Sequence, residues 1–143
     1  MEKQISVLMT RVIRTVDFED TIDKVDALLT ELKVSAVPVV DHNGTLFGII
    51  SSLDLLHFFA ARRNPRATRA WELCTYKPVS VCPETSVSEV ASLMLGKRIH
   101  HILVIENGKL IGIVSAMDFV KQCLPGLGNA EAIETDELAV PHA

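Results

Sequence analysis

Residues 44–54 read Gly44-Thr45-Leu46-Phe47-Gly48-Ile49-Ile50-Ser51-Ser52-Leu53-Asp54, and residues 108–118 read Gly108-Lys109-Leu110-Ile111-Gly112-Ile113-Val114-Ser115-Ala116-Met117-Asp118. The offset is constant (118 − 54 = 64). Gly, Leu, Gly, Ile, a β-branched residue, Ser and Asp recur at fixed places. A repeat of this period is one supersecondary unit written twice. The Ser and Asp end each segment just past an apolar run, where packing alone does not demand them.

The likeness extends backwards at an offset of 65 (99 − 34), one residue being absent from the second turn. Val34–Asp41 aligns with Ile99–Glu106, and Ile22, Val25, Leu28 and Leu29 align with Val87, Val90, Leu93 and Met94. Thr10 aligns with Thr75 and Thr15 with Ser80. These alignments predict one repeat over residues 5–60, an arginine-rich linker over 61–69, a second repeat over 70–124 and an acidic tail over 125–143.

Each copy predicts the same elements. A short extended piece (Val12–Val16, Val79–Val81) precedes a helix with one apolar face. Thr21 and Ser86 are the expected N-caps, and Ser86 with Glu89 has the spacing of a capping box. Two Val/Ile/Leu runs follow, Val37–Val40 with Leu46–Ile50 and Ile102–Ile105 with Leu110–Val114. Their near-continuous apolarity suits strands covered on both faces. Asn43-Gly44 and Asn107-Gly108 predict hairpins with positive φ at both turn residues. A second helix starts at each Ser-x-x-Asp. The fold class is therefore α/β (α+β), a tandem pair of β-α-β-β-α units packed sheet to sheet about a pseudo-twofold axis.

The 143 residues are 48% hydrophobic and only 5% aromatic, so the core is aliphatic. A net charge of -4 gives no argument for nucleic acid. No apolar run reaches the ~20 residues of a membrane span, and Met1-Glu2-Lys3-Gln4 lacks the pattern of a signal peptide. Cys74, Cys82 and Cys123 have no metal-type spacing, so reduced thiols in the cytoplasm are the simplest expectation. There is no nucleophile–base motif, no phosphate loop followed by Lys-Ser/Thr and no metal-ligand cluster, so no catalytic role or metal site is expected. The tail Asn129–Ala143 is acidic and without clear periodicity, and reads as disordered or partner-dependent.

The two Gly-h-h-Ser-x-x-Asp segments and the Val-Pro-Val-Val-Asp run at 37–41 together resemble a CBS-domain pair, or Bateman module, standing alone. The resemblance covers all but the tail. It implies a regulatory module that holds AMP, ADP, ATP or S-adenosylmethionine between its copies and dimerises into a flat disc. A separate protein partner would read the signal.

Residue by residue, Asp54 and Asp118 match the ribose-binding Asp of that family. A carboxylate accepting from both ribose hydroxyls would do that work, and a helix-terminal cap is the other reading of the same residues. Ser51 and Ser115 match a phosphate- or ribose-contacting position, or are plain N-caps. The resemblance implies that Thr10, Thr15, Val34 and Ser35 frame one base with Asp118. It implies that Thr75, Ser80, Ile99 and His100 frame another with Asp54. For Val34 and Ile99, core packing competes with that role. His100, His101, Lys97 and Arg98 form the densest cationic patch, and one histidine should face a cleft because neighbouring strand residues point to opposite faces. Leu103 replaces the proline found at Pro38, so the two clefts are unequal. A ligand-free module for protein interaction or dimerisation is the alternative function.

Overall fold

A computed structural model describes residues 2–12 and 14–123. The expected acidic tail and the end of the last helix at Leu124 lie outside the described residues.

A 3-10 turn at Ile5–Val7 leads into strand β1 (Thr10–Arg11), followed by β2 (Val16–Asp17) and helix α1 (Ile22–Leu32). Strands β3 (Ala36–Val40) and β4 (Leu46–Ser51) form a hairpin, and helix α2 (Ser52–Ala60) closes the first copy. The second copy opens with the short helix α3 (Ala70–Leu73), then β5 (Thr75–Tyr76), β6 (Ser80–Val81) and α4 (Val87–Lys97). It ends with the hairpin of β7 (His101–Glu106) and β8 (Lys109–Ser115) and helix α5 (Ala116–Cys123).

The single extended piece expected at the head of each copy is two strands, and they serve different sheets. One sheet has the order β2-β3-β4-β5 and the other β1-β8-β7-β6. Thr10 and Arg11 pair with Ile113 and Gly112 of the second copy. Reciprocally, Thr75 and Tyr76 pair with Ile49 and Gly48 of the first. Each copy thus lends an edge strand to the other. This exchange gives the pseudo-twofold relation and carries Thr10 onto the sheet that ends at Ser115.

The apolar runs divide as the pleat requires. Val37 and Val39 join Ile22, Val25, Leu28, Leu29 and Phe58 in the first core. Ile102, Val104 and Val114 join Ile5, Val90 and Met94 in the second. The intervening Ala36, Ile49 and Leu103 form a third apolar layer holding residues of both sheets, which packs one sheet on the other. Strands covered on both faces explain why neither hairpin alternates polar with apolar.

The two turns differ. Asn107 and Gly108 both have positive φ (52° and 79°), as a two-residue hairpin needs. In the first copy only Gly44 does (81°). The extra residue there, His42, lengthens the loop, and Asp41 Oδ1 braces it by accepting from Asn43 N and Thr45 N. The His42 ring packs edge-on against Phe18, centroids 5.0 Å apart. The caps also differ from expectation. Ser86 Oγ accepts from Glu89 N, but among the described residues no bond from Ser86 N to the Glu89 carboxylate completes the expected capping box, and the Thr21 hydroxyl donates to Asp23 instead of capping α1.

Candidate functional site

Both Ser-x-x-Asp segments build the same local structure. Asp54 Oδ2 accepts from Ser51 N at 2.8 Å, and Ser51 Oγ accepts from Asp54 N at 3.2 Å. Asp118 Oδ2 accepts from Ser115 N at 2.7 Å, and Ser115 Oγ accepts from Asp118 N at 3.3 Å. These are reciprocal capping boxes. The helix-cap reading is therefore physically realised at both sites. It engages one carboxylate oxygen, and among the described residues Oδ1 of each Asp has no hydrogen-bond partner. An ionised carboxylate has roughly four acceptor positions, so capping leaves Asp118 able to accept from a diol.

A cleft of ≈ 460 Å³ lies between the copies. Its first-copy wall holds Thr10, Val34, Ser35 and Pro38; its second-copy wall holds His101, Ile113, Ser115 and Asp118. Four cationic side chains, those of Arg11, Arg14, Lys33 and Lys121, line it as well. Lys33 stands there because it ends α1 in the left-handed conformation (φ 57°). Arg11 stands there because β1 is lent to the second sheet. Among the described residues the one ion pair is His42 with Asp17, so Asp118 neutralises none of these cations by contact. The volume falls in the range of small-molecule sites, about 300–1,000 Å³.

His101 sits at the seam. Its Cα pairs with Ser115 across β7–β8, and its Nε2 lies 3.0 Å from Ser35 Oγ of the other copy. Burial pushes its pKa below the ordinary 6.5, and His100 adds to this, while the charges of Asp118 and Asp54 pull the opposite way. His100 is exposed and is not in the cleft wall.

The expected framing set is thus split. Thr10, Val34, Ser35, Ser115, Asp118 and His101 come together in this cleft, and Thr15 is exposed outside it. Of the other set, Thr75 and Ser80 are exposed on β5 and β6, Ile99 packs on the second core, and Ser51 and Asp54 cap α2. None of these lines the cleft.

The repeat explains the inequality. The counterparts of Arg11 and Arg14 are Tyr76 and Val79 (offset 65), and that of Lys121 is His57 (offset 64). Only Lys33 has a cationic counterpart, Arg98. Pro38 lines the cleft, whereas its counterpart Leu103 is 0% exposed in the inter-sheet layer. Arg98 and Lys97 stand out in sequence beside the paired histidines, whereas Lys33, Arg11, Arg14 and Lys121 are scattered along the chain. The same offset, applied to Arg98, leads to Lys33. The other three depend on the strand exchange and on where α5 packs.

The profile of the CBS domain family matches residues 3–61 and 70–124, the two copies. The chain is a pair of CBS domains. It is 35% identical over 116 residues to the uncharacterised protein YlbB of Bacillus subtilis, covering 80% of this chain and 78% of that one. A signal-transduction CBS protein from Burkholderia ambifaria, described as such only provisionally, superposes with a TM-score of 0.74 at 34% identity, over 80% of this chain and 85% of that one. The structure of CBSX2 in complex with AMP superposes with a TM-score of 0.71 at 28% identity, over 85% and 96%. Among the described residues no helix of this CBS pair is long and apolar enough to cross a membrane.

Proposed function

We propose that this CBS pair is a regulatory module that binds a phosphate-bearing adenine nucleotide in the cleft between its copies. The carrying observation is the composition of that cleft. One carboxylate with a spare oxygen, Asp118, shares the cleft lining with the framing residues Thr10, Val34 and Ser35 and with four cations. Asp118 would take the ribose diol, Val34 would flank the base, and Arg11, Arg14, Lys33 and Lys121 would meet the phosphates. A bridging ligand would bias the angle between the copies, and a partner protein would read it. The role is binding and not catalysis. The AMP complex of CBSX2 supports this ligand class.

The cation set separates the candidate ligands. AMP, ADP and ATP bring negative charge to it. S-adenosylmethionine brings a sulfonium and is disfavoured by like-charge repulsion. A thermal-shift panel tests this: AMP at a hundred times its Kd should add about 2.7 kcal/mol of stability. Stabilisation by S-adenosylmethionine without stabilisation by AMP would overturn the assignment.

The second reading, dimerisation, has its own observation. A groove of ≈ 400 Å³ between α1 and α2 is lined by Leu29, Leu55, Leu56 and Phe59. Leu56 is 64% and Phe59 41% exposed. An apolar face of this kind suits a second copy of the chain. The groove and the nucleotide cleft meet at Val34, which lines both, whereas Leu56 and Phe59 line the groove alone.

A further inference from the structure

Of the side chains that line the cleft among the described residues, only that of His101 is of a type whose charge changes near neutral pH. Both copies build its position. It opens β7 and pairs with Ser115, the cap of α5. Its Nε2 lies 3.0 Å from Ser35 Oγ, and among the described residues this is the one hydrogen bond between side chains of the two copies. A hydroxyl both donates and accepts, so Ser35 can donate to unprotonated Nε2 or accept from protonated Nε2. The bridge therefore serves either charge state. Among the described residues Nδ1 has no hydrogen-bond partner and is left for a ligand. The counterpart of His101 in the repeat is Ala36, so the arrangement occurs once.

The surroundings hold the ring neutral when no ligand is bound. Burial disfavours its protonated form and His100 acts the same way, while Asp118 on α5 and Asp54 on α2 act against both. Arg11 of β1, Arg14, Lys33 at the end of α1 and Lys121 of α5 line the same cavity. A nucleotide changes this balance. Its phosphate carries about two negative charges into a cleft of ≈ 460 Å³, where charges a few ångströms apart act more strongly than in bulk water.

We propose that His101 takes up a proton when an anionic nucleotide enters the cleft, which makes the module a joint sensor of nucleotide and pH. The coupling rests on the nucleotide reading above and adds a regulator to it. Linkage is reciprocal: a nucleotide that favours the protonated ring is itself favoured by that ring, by the same factor. Through His101, affinity is lowest at alkaline pH and rises as pH falls. The same acidification weakens the ligand-free fold, so bound nucleotide offsets that loss. The phosphate's own proton, with a pKa of about 6, acts on affinity in the reverse sense. Observing the ring itself separates the two.

The test is an NMR titration of the histidine rings in the full wild-type chain from about pH 8 to about pH 5.5, with and without saturating AMP. The His101 midpoint should lie below 6.5 without AMP and rise when AMP is bound. His42, outside the cleft lining, is the internal control and should not move. In parallel, calorimetric titrations of AMP at about pH 8 and about pH 6 compare wild type with His101→Gln, in which the phosphate's own titration is the same. On acidification the wild type should gain about fivefold in affinity relative to the variant, the low end of ordinary coupling between two sites. If the variant fails to fold, the ring titration decides alone. AMP that binds while the His101 midpoint stays fixed or falls would overturn the coupling and leave the nucleotide reading standing. AMP that binds at no pH in the range would overturn that reading, and the coupling with it.

Discussion

Ser35 Oγ lies 3.0 Å from His101 Nε2 although 66 positions separate the two residues. The contact joins the copies at the cleft wall, one residue before β3 and at the first residue of β7. In the repeat, His101 corresponds to the buried Ala36 and Ser35 to the exposed His100. Two identical copies would make this contact twice or not at all, so its single occurrence shows that the copies have diverged at the seam.

The burial of His101 makes stability depend on pH. Burial first, then His100, holds His101 below its ordinary value of 6.5, against the pull of Asp118 and Asp54. The unfolded chain therefore binds a proton that the folded one refuses. His101 contributes fully above 6.5, and stability falls as pH drops from there through the lower, folded-state value. Urea midpoints measured from about pH 7.5 down to about pH 5.5 should decline in the wild type. The decline should be shallower in His101→Gln, which keeps a partner for Ser35.

Asp118 has two jobs that substitution can part. Asp118→Asn keeps an oxygen to accept from Ser115 N but loses the charge. AMP affinity should drop roughly 10- to 100-fold, as for a lost charge-assisted hydrogen bond, with little change in melting temperature. Asp118→Ala should lose the cap as well, about 1 kcal/mol. Asp54→Asn, outside the cleft wall, should leave AMP affinity unchanged. Calorimetric titration of the three variants, with a melting curve for each, checks the order.

Two glycines hold the exchanged strands close, and they should respond differently to a methyl group. A Cβ at Gly48 would meet Thr75 O at 2.5 Å, a backbone atom that cannot yield without parting β4 from β5. A Cβ at Gly112 would meet Met9 Sδ at 2.5 Å, the far end of a flexible side chain. Gly48→Ala should cost about 3 kcal/mol and Gly112→Ala about 1 kcal/mol, the two ends of the overpacking range. Equal losses in urea unfolding would contradict the strand exchange as its cause.

Leu56 and Phe59 should matter to assembly and not to folding. Leu56→Glu or Phe59→Glu should give a monomer by sedimentation while nucleotide affinity holds, because neither lines the cleft. A wild-type chain that sediments as a monomer would remove the dimer reading.

Most of the fold was legible because repetition corroborates itself. The Gly-h-h-Ser-x-x-Asp segments and the helix spacing each occur twice, so elements marginal in one copy are supported by the other. What escaped notice was non-local. Thr10–Arg11 and Thr75–Tyr76 are too short to carry a strand pattern, and nothing in their own residues names the partner copy. The Asp and Ser positions were legible for the same reason the strands were. The cations were not, since Arg11, Arg14 and Lys121 reach the cleft only through the strand exchange and the seating of α5. His101 could be narrowed to one of two histidines by strand alternation, and the structure puts it, and not His100, in the wall.

Nucleotide binding in the cleft between the copies depends on Asp118 and the cations around it. The most direct measurement is a calorimetric titration of AMP into the wild-type protein at low salt. The expected result is saturable heat with a single class of sites, weakened by added salt because the phosphate meets exposed cations. Absence of binding, or binding of adenosine as tightly as AMP, would contradict it.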